Sequence, residues 1–191
     1  MAIANQPQTR EVLERLLDER ILVLDGAMGT MIQALKLGEQ DFRSEQFAEH
    51  GFPSLQGCND LLSITQPEAI ERIHRQYLEA GSDIIETNTF NANSISMADY
   101  GLESHVRDIN LAAAACARRA VEEMNARTPH RPRFVAGSIG PTKAQLSVAG
   151  NVDDPAYRPA TYEQMVEMYY EQVAALVEGG CLLYTSPSPR D

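Results

Sequence analysis

The sequence predicts an α/β fold whose strands run parallel. Three short apolar runs alternate with helical patterns, each run is apolar on both faces, and no hairpin signal joins one run to the next. Consecutive parallel strands need a crossover, which the intervening helices supply. A closed (β/α)8 barrel is favoured over an open doubly wound sheet, because residues 26–29 match neither a dinucleotide-binding nor a phosphate-loop pattern.

The helices are predicted from apolar residues at helical spacing and from terminal signals. The first spans residues 9–19. The patterns at residues 65–68 and 161–164 predict capping boxes that open two later helices, each of which ends at glycine. An alanine-rich helix is predicted over residues 108–124.

Three strands are predicted: residues 21–24, 83–90 and 134–140. Each of them runs into small or polar residues, which are 25–26, 86–89 and 138–140. Because the active site of a barrel is built at the carboxyl ends of its strands, these three segments are the candidate site.

Two interpretations of these polar residues stay open. Asp25 and Gly26 fit a ligand site, and they fit a turn and helix-capping pair equally well. The segment Glu86–Thr89 is denser in polar groups than a turn requires. Its carboxylate, hydroxyl and amide groups can hold the ammonium and carboxylate of a zwitterion, so a ligand role is favoured there.

The cysteines and histidines do not form a recognisable catalytic or metal-binding pattern. Cys58 and Cys116 have no cysteine or histidine at metal-ligand spacing, so they are interpreted as structural thiols. The four histidines are expected to be exposed to solvent, and they are His50, His74, His105 and His130.

Composition excludes several classes of partner. The 191 residues suit one domain, and 27 acidic against 16 basic side chains give a net charge of -11. Such a surface repels phosphate backbones and anionic lipid, so nucleic acid and membrane are not expected as partners. The chain has neither a long apolar run nor a signal peptide, and its three scattered cysteines indicate reduced thiols, so a cytoplasmic location is expected.

Four segments resemble the homocysteine-binding domain of cobalamin-dependent methionine synthase (5-methyltetrahydrofolate–homocysteine methyltransferase). They are residues 21–33, 57–62, 77–91 and 137–142, and they include Asp-Gly-Ala-Met-Gly-Thr at 25–30 and Glu-Thr-Asn-Thr-Phe at 86–90. The resemblance covers nearly all of residues 1–180. It implies a (β/α)8 barrel, of which this chain holds roughly the first three strands and their helices.

The resemblance also implies an activity and a set of site residues. The reaction is methylation of the homocysteine thiol to give methionine, with methylcobalamin as donor and methyltetrahydrofolate recharging it. Asp25, Gly26, Thr87 and Asn88 match the substrate-binding pattern. The zinc that activates the thiol is held in the family by cysteines after later strands. This chain contains neither those ligands nor a cobalamin domain, and it has no assigned catalytic or metal-binding residue.

The end of the chain is expected to be foreign to the domain. Residues 181–184 could begin a strand, but residues 181–191 resemble a translated sequencing adaptor and are interpreted as a non-native, unstructured tail, with a natural disordered tail as the alternative. Residues 1–180 are then expected to be the truncated front of a longer barrel. The truncated chain is expected to be inactive. Two alternatives stay open: the front of a cobalamin-independent homocysteine S-methyltransferase that uses betaine or S-methylmethionine, and a non-catalytic binding module.

Overall fold

The structure is a computed structural model that describes residues 6–141, 144, 159–181 and 183–185. The helices in these ranges are α1 (Gln6–Glu19), α2 (Met28–Ala34), α3 (Glu39–Arg43), α4 (Leu62–Thr65), α5 (Pro67–Ala80), α6 (Ser94–Met97), α7 (Val106–Arg127) and α8 (Tyr162–Glu178). The strands are β1 (Ile84–Glu86), β2 (Phe134–Ser138) and β3 (Leu183–Thr185).

The strands form one parallel sheet in the order β1-β2-β3. Ile85 pairs with Val135, and Ala136 pairs with Leu183. The helix α7 connects β1 to β2 and α8 connects β2 to β3, so the predicted α/β class and its parallel strands are confirmed.

The first predicted strand is reduced to a single bridge. Residues 21–24 lie beside β1, where the Val23 carbonyl accepts from the backbone N–H groups of Asp83 and Ile84, but only Leu24 is bridged, to Ile84. Among the described residues this segment has a strand neighbour on one side only, and Ile21 is 88% exposed. A strand covered on both faces was predicted there. Within the described part of the chain, residues 21–24 stay exposed or half-buried.

A buried carboxylate fixes this segment to the sheet. Asp83 has a fully buried side chain that accepts two hydrogen bonds from Arg20 at 2.7 and 2.9 Å and two from Arg131 at 2.9 and 3.1 Å. It also accepts from the Val23 N–H at 3.0 Å. These contacts connect the end of α1, β1 and the loop before β2. Burial by itself would raise the pKa of Asp83, but the hydrogen bonds from Arg20 and Val23 outweigh it and hold this pKa well below its usual range.

The capping predictions differ in outcome. Thr161 and Gln164 form the predicted capping box at the start of α8, with bonds of 3.2 and 2.8 Å. The box predicted at residues 65–68 is wrong, since Gln66 is the N-cap of α5 and makes no side-chain cap. Thr65 already belongs to the last turn of α4, so it is not in the N-cap position.

The end of the chain takes part in the sheet. Residues 181–191 were expected to carry no structure, but β3 pairs with the free edge of β2, because a parallel edge bonds through backbone groups whatever the side chains are. The expectation is therefore wrong for residues 183–185. Residues 182 and 186–191 lie outside the described residues, and the foreign origin of the tail stays a prediction.

The described residues form a core of two apolar clusters. One lies among α4, α5 and the first half of α7, and the other lies between the sheet, the second half of α7 and α8. Cys58 and Cys116 are buried in the first, as their structural interpretation predicts. None of the described helices has the length and apolar character needed to cross a membrane.

The histidine prediction is wrong for three of the four residues. His74 is fully buried, because it lies on the face of α5 that packs in the core, and burial lowers its pKa to about 4. His50 and His105 are half-buried and both rings pack against Phe47. Only His130 is exposed.

Candidate functional site

A polar cavity of about 290 Å³ lies at the carboxyl ends of β1 and β2. All four predicted substrate-binding residues line it: Asp25, Gly26, Thr87 and Asn88. They come from two segments about 60 positions apart in the chain, and the parallel pairing beside β1 brings them to one edge of the sheet. The structure therefore assembles the predicted set in one place.

Asp25 is tied to β1 and does not cap α2. Its Oδ1 accepts the backbone N–H of Glu86 at 3.0 Å. The N-cap of α2 is Ala27, in a left-handed conformation with φ 49° and without a side-chain cap. The helix-capping interpretation of Asp25 is therefore wrong. Burial raises the pKa of Asp25 to about 7, the charge of Glu86 adds to this, and the bond from the Glu86 N–H opposes it.

Gly26 leaves open space at the cavity wall. A Cβ atom at this position would have no atom within 4 Å, and its φ does not require glycine. Neither packing nor backbone conformation within the described chain explains glycine here.

Thr87 belongs to a closed ring of hydrogen bonds. Its hydroxyl accepts the N–H of Ser138 at 3.0 Å and lies 2.6 Å from the hydroxyl of Thr89, which donates to the Ser138 carbonyl at 2.7 Å. Since the Thr89 proton is used on that carbonyl, the Thr87 hydroxyl donates to Thr89. The ring fixes the end of β1 to the end of β2.

Asn88 connects the loop after β1 to the turn before α4. Its amide Nδ2 donates to the Asn59 carbonyl at 2.7 Å and to the Ser63 hydroxyl at 3.3 Å. The side chain is nearly buried, with 6% of its surface exposed. Both contacts position the loop, so the structure gives the amide group of Asn88 a supporting role at the cavity wall.

Two further carboxylates line the cavity. Asp60 was not selected from the sequence, and Glu86 was noted only as part of its polar segment. Asp60 is buried and accepts the N–H of Asn91 at 2.9 Å, while burial raises its pKa to about 6. The sequence held one indication that Asp60 is functional, because an acidic residue directly before the apolar pair Leu61 and Leu62 is unusual in a buried segment.

The cavity has a negative electrostatic character. Asp25, Asp60 and Glu86 contribute carboxylates, and no lysine, arginine or histidine belongs to the described lining. Desolvation raises the pKa of Asp25 and Asp60, which means that the described residues compensate these two charges poorly. A bound cation such as an ammonium group would supply the missing compensation.

Comparison with known proteins places this chain in a family. The family model for homocysteine S-methyltransferase matches residues 22–185, so the chain belongs to the homocysteine S-methyltransferase family. The fold is also similar to solved structures of the homocysteine methyltransferase MmuM from Escherichia coli. The metallated form is 26% identical with a TM-score of 0.67, and 91% of this chain and 56% of that chain are covered.

The oxidized form of the same Escherichia coli protein is 27% identical with a TM-score of 0.66, with 90% of this chain and 55% of that chain covered. The chain therefore spans a little over half the length of these solved structures. The α/β fold with a small parallel sheet agrees with a part of the methyltransferase fold.

The described residues do not fit a metal site. No group of three His, Cys, Asp or Glu side chains within residues 6–141, 144, 159–181 and 183–185 is arranged to hold a metal ion. Cys58, Cys116 and Cys181 are each buried, and burial raises their thiol pKa values to about 12, 11 and 12. The three thiols are therefore protonated near neutral pH.

Proposed function

We propose that this chain is the front part of a homocysteine S-methyltransferase barrel and that the cavity binds the amino-acid end of homocysteine. The observation that carries the proposal is the set of three carboxylates around a cavity whose described lining has no cation. Asp25 is the residue to which we assign the substrate ammonium, with the backbone of Gly26 beside the ligand. Thr87 and Asn88 hold the loop that forms the cavity wall.

The proposed reaction transfers a methyl group to the homocysteine sulfur. The sulfur forms a bond to the methyl carbon, the bond between that carbon and the donor breaks, and the thiol proton is lost. We propose methylcobalamin as donor, recharged by methyltetrahydrofolate, on the basis of the Asp-Gly-Ala-Met-Gly-Thr and Glu-Thr-Asn-Thr-Phe motifs. The residues of this chain position the substrate. We propose that the zinc ligands and the cobalamin and folate domains lie outside residues 1–191, and that the enzyme is cytoplasmic.

Resequencing the coding region past residue 180 is the first test. The proposal expects further strands with metal-binding cysteines, followed by folate-binding and cobalamin-binding domains, the latter with an Asp-x-His-x-x-Gly signature. The complete product should form methionine from homocysteine with methylcobalamin. Activity with betaine or S-methylmethionine alone would replace the proposed donor, and a stop codon directly after Asp191 would favour a binding module.

A pair of ligands tests the cavity assignment directly. Homocysteine and 4-mercaptobutanoate differ by the ammonium group alone, so calorimetric titration of the complete protein with both measures what the carboxylates contribute. We expect 4-mercaptobutanoate to bind about 10- to 150-fold more weakly, which corresponds to a charge-assisted hydrogen bond of about 1.5–3 kcal/mol. Equal affinities would contradict the assignment of the ammonium to this cavity.

A further inference from the structure

We propose that Gln172 of α8 is a positioning residue for the loop of residues 87–91 that forms the wall of the substrate cavity. Gln172 is fully buried, and its Nε2 donates to the Thr89 carbonyl at 2.8 Å. The contact joins two residues that are 83 positions apart in the sequence. The inference rests on the proposed function only for the identity of the ligand.

The Thr89 carbonyl lies in the middle of the loop of residues 87–91, so a hydrogen bond to it can position the whole cavity wall. The hydroxyl of Thr89 belongs to the ring with Thr87 and Ser138, and its N–H donates to the Thr87 carbonyl at 2.9 Å. Its carbonyl is the remaining polar group, and it accepts two hydrogen bonds, one from the Ala92 N–H at 3.1 Å and one from Gln172. Together these bonds engage every polar group of Thr89, and the bond from Gln172 is the one that connects this peptide to α8.

A second residue of α8 supports the neighbouring loop. The Tyr169 hydroxyl, one helical turn before Gln172, donates to the Gly140 carbonyl at 3.1 Å. The N–H of Gly140 in turn donates to the Phe90 carbonyl at 3.0 Å, and a Cβ at Gly140 would collide with that carbonyl. The loops after β1 and β2 are therefore in direct contact, and α8 binds both, the first through Gln172 and the second through Tyr169.

The amide of Gln172 is poorly suited to a purely structural role. Its Oε1 is buried and has no hydrogen-bond partner among the described residues. A buried carbonyl without a partner is unfavourable, so an apolar side chain of the same length removes this unsatisfied group. The same change takes one of two hydrogen bonds from the Thr89 carbonyl, which keeps the bond from the Ala92 N–H. The two changes oppose each other in global stability, whereas only the second affects the cavity wall.

The test compares Gln172→Met with Leu176→Val in the complete protein. Leu176 lies one turn further along α8 in the apolar cluster, so its variant weakens helix packing without removing a bond to the loop. Amide hydrogen exchange of residues 87–91, the melting temperature and the dissociation constant for homocysteine are measured for both. Tyr169→Phe is a second variant, which removes only the bond to Gly140.

We expect Gln172→Met to raise amide exchange in residues 87–91 and to weaken homocysteine binding, each by about three- to tenfold, with a melting temperature within about 4 °C of the parent. Leu176→Val should lower the melting temperature and leave loop exchange at the parent rate. Loop exchange unchanged in Gln172→Met, or raised equally in both variants, would overturn the inference. If the parent protein does not bind homocysteine, the proposed function fails, and the exchange rates still decide the role of Gln172.

Discussion

The substitution Asp25→Asn separates a binding role from a structural one because it changes charge and keeps shape. Asparagine retains an oxygen that can accept the Glu86 N–H, the hydrogen bond that anchors Asp25 to β1 at 3.0 Å. The negative charge that we assign to the substrate ammonium is lost. The variant should therefore fold, and its stability and its affinity for homocysteine should change in opposite directions.

The stability change follows from the pKa of Asp25. Burial raises it from 3.8 to about 7, so the folded state binds the proton more tightly than the unfolded state does. The favourable contribution of protonated Asp25 to folding stability is complete below pH 3.8 and is lost as the pH rises through about 7. The rise of the Asp25 pKa from 3.8 to about 7 corresponds to about 4 kcal/mol as an upper limit, and partial solvent contact reduces this to about 2–4 kcal/mol. Asp25→Asn should be more stable than the parent by that amount at pH 8 and equally stable near pH 4.

The affinity change has the other sign. Loss of a charge-assisted hydrogen bond to the ammonium costs about 1.5–3 kcal/mol, so homocysteine should bind about 10- to 150-fold more weakly at pH 8. Binding to the parent should strengthen as the pH rises through about 7, because Asp25 ionises over that range. The variant should lose this pH dependence.

Calorimetric titration with homocysteine at pH 5 and pH 8 and thermal melts at pH 4 and pH 8 measure both effects in the complete protein. Asp18→Asn, an equal change of charge at an exposed position of α1, is the matched control and should leave both quantities unchanged. Unchanged affinity at pH 8 together with a lower melting temperature would refute the ligand role and leave Asp25 as a turn residue.

Three further predictions concern stability and metal content. Asp83→Asn should lower the free energy of unfolding by about 3 kcal/mol and the melting temperature by about 6–12 °C, because it leaves two arginines without their buried anionic partner. The control Glu79→Gln, which breaks an exposed ion pair, should lower the free energy of unfolding by under about 1 kcal/mol. Equal melting temperatures of the two variants would contradict this. The pKa of His74 is lowered from 6.5 to about 4, so its contribution to stability is present above pH 6.5 and is lost as the pH falls through about 4, by about 3 kcal/mol. His74→Leu should flatten the acid side of the curve of melting temperature against pH, and an unchanged slope would show that other groups control it. The 191-residue chain should retain far less than one zinc per chain after dialysis, and a stoichiometric, chelator-resistant zinc would disprove this.

Local patterns in the sequence predicted the fold class and the edge of the sheet at which a site is expected. Alternation of short apolar runs with helices predicted parallel strands, and the sheet is parallel. Polar residues directly after such runs predicted a site at the carboxyl edge, and Asp25, Gly26, Thr87 and Asn88 line one cavity there. The inference of fold class succeeded because hydrophobic periodicity is a property of neighbouring residues, and the ligand role of the cavity stays a prediction.

The tertiary structure decided what each side chain does. Whether Asp25 caps a helix or crosses to Glu86 depends on a segment 61 positions away, and so does the burial that raises its pKa. The capping pattern at residues 65–68 failed because α4 already includes Thr65. His74 looked like a surface residue because a histidine carries no sign of its own burial, and only the packing of α5 in the core places it inside.

The same distinction explains Asp60, Gln172 and β3. The roles of Asp60 and Gln172 arise from hydrogen bonds to the backbone of Asn91 and Thr89, which are 31 and 83 positions away. The strand β3 forms because β2 offers it an edge of backbone groups. A sequence specifies local propensity through side chains, but backbone groups are the same at nearly every position, so which of them become partners is determined only when distant segments meet.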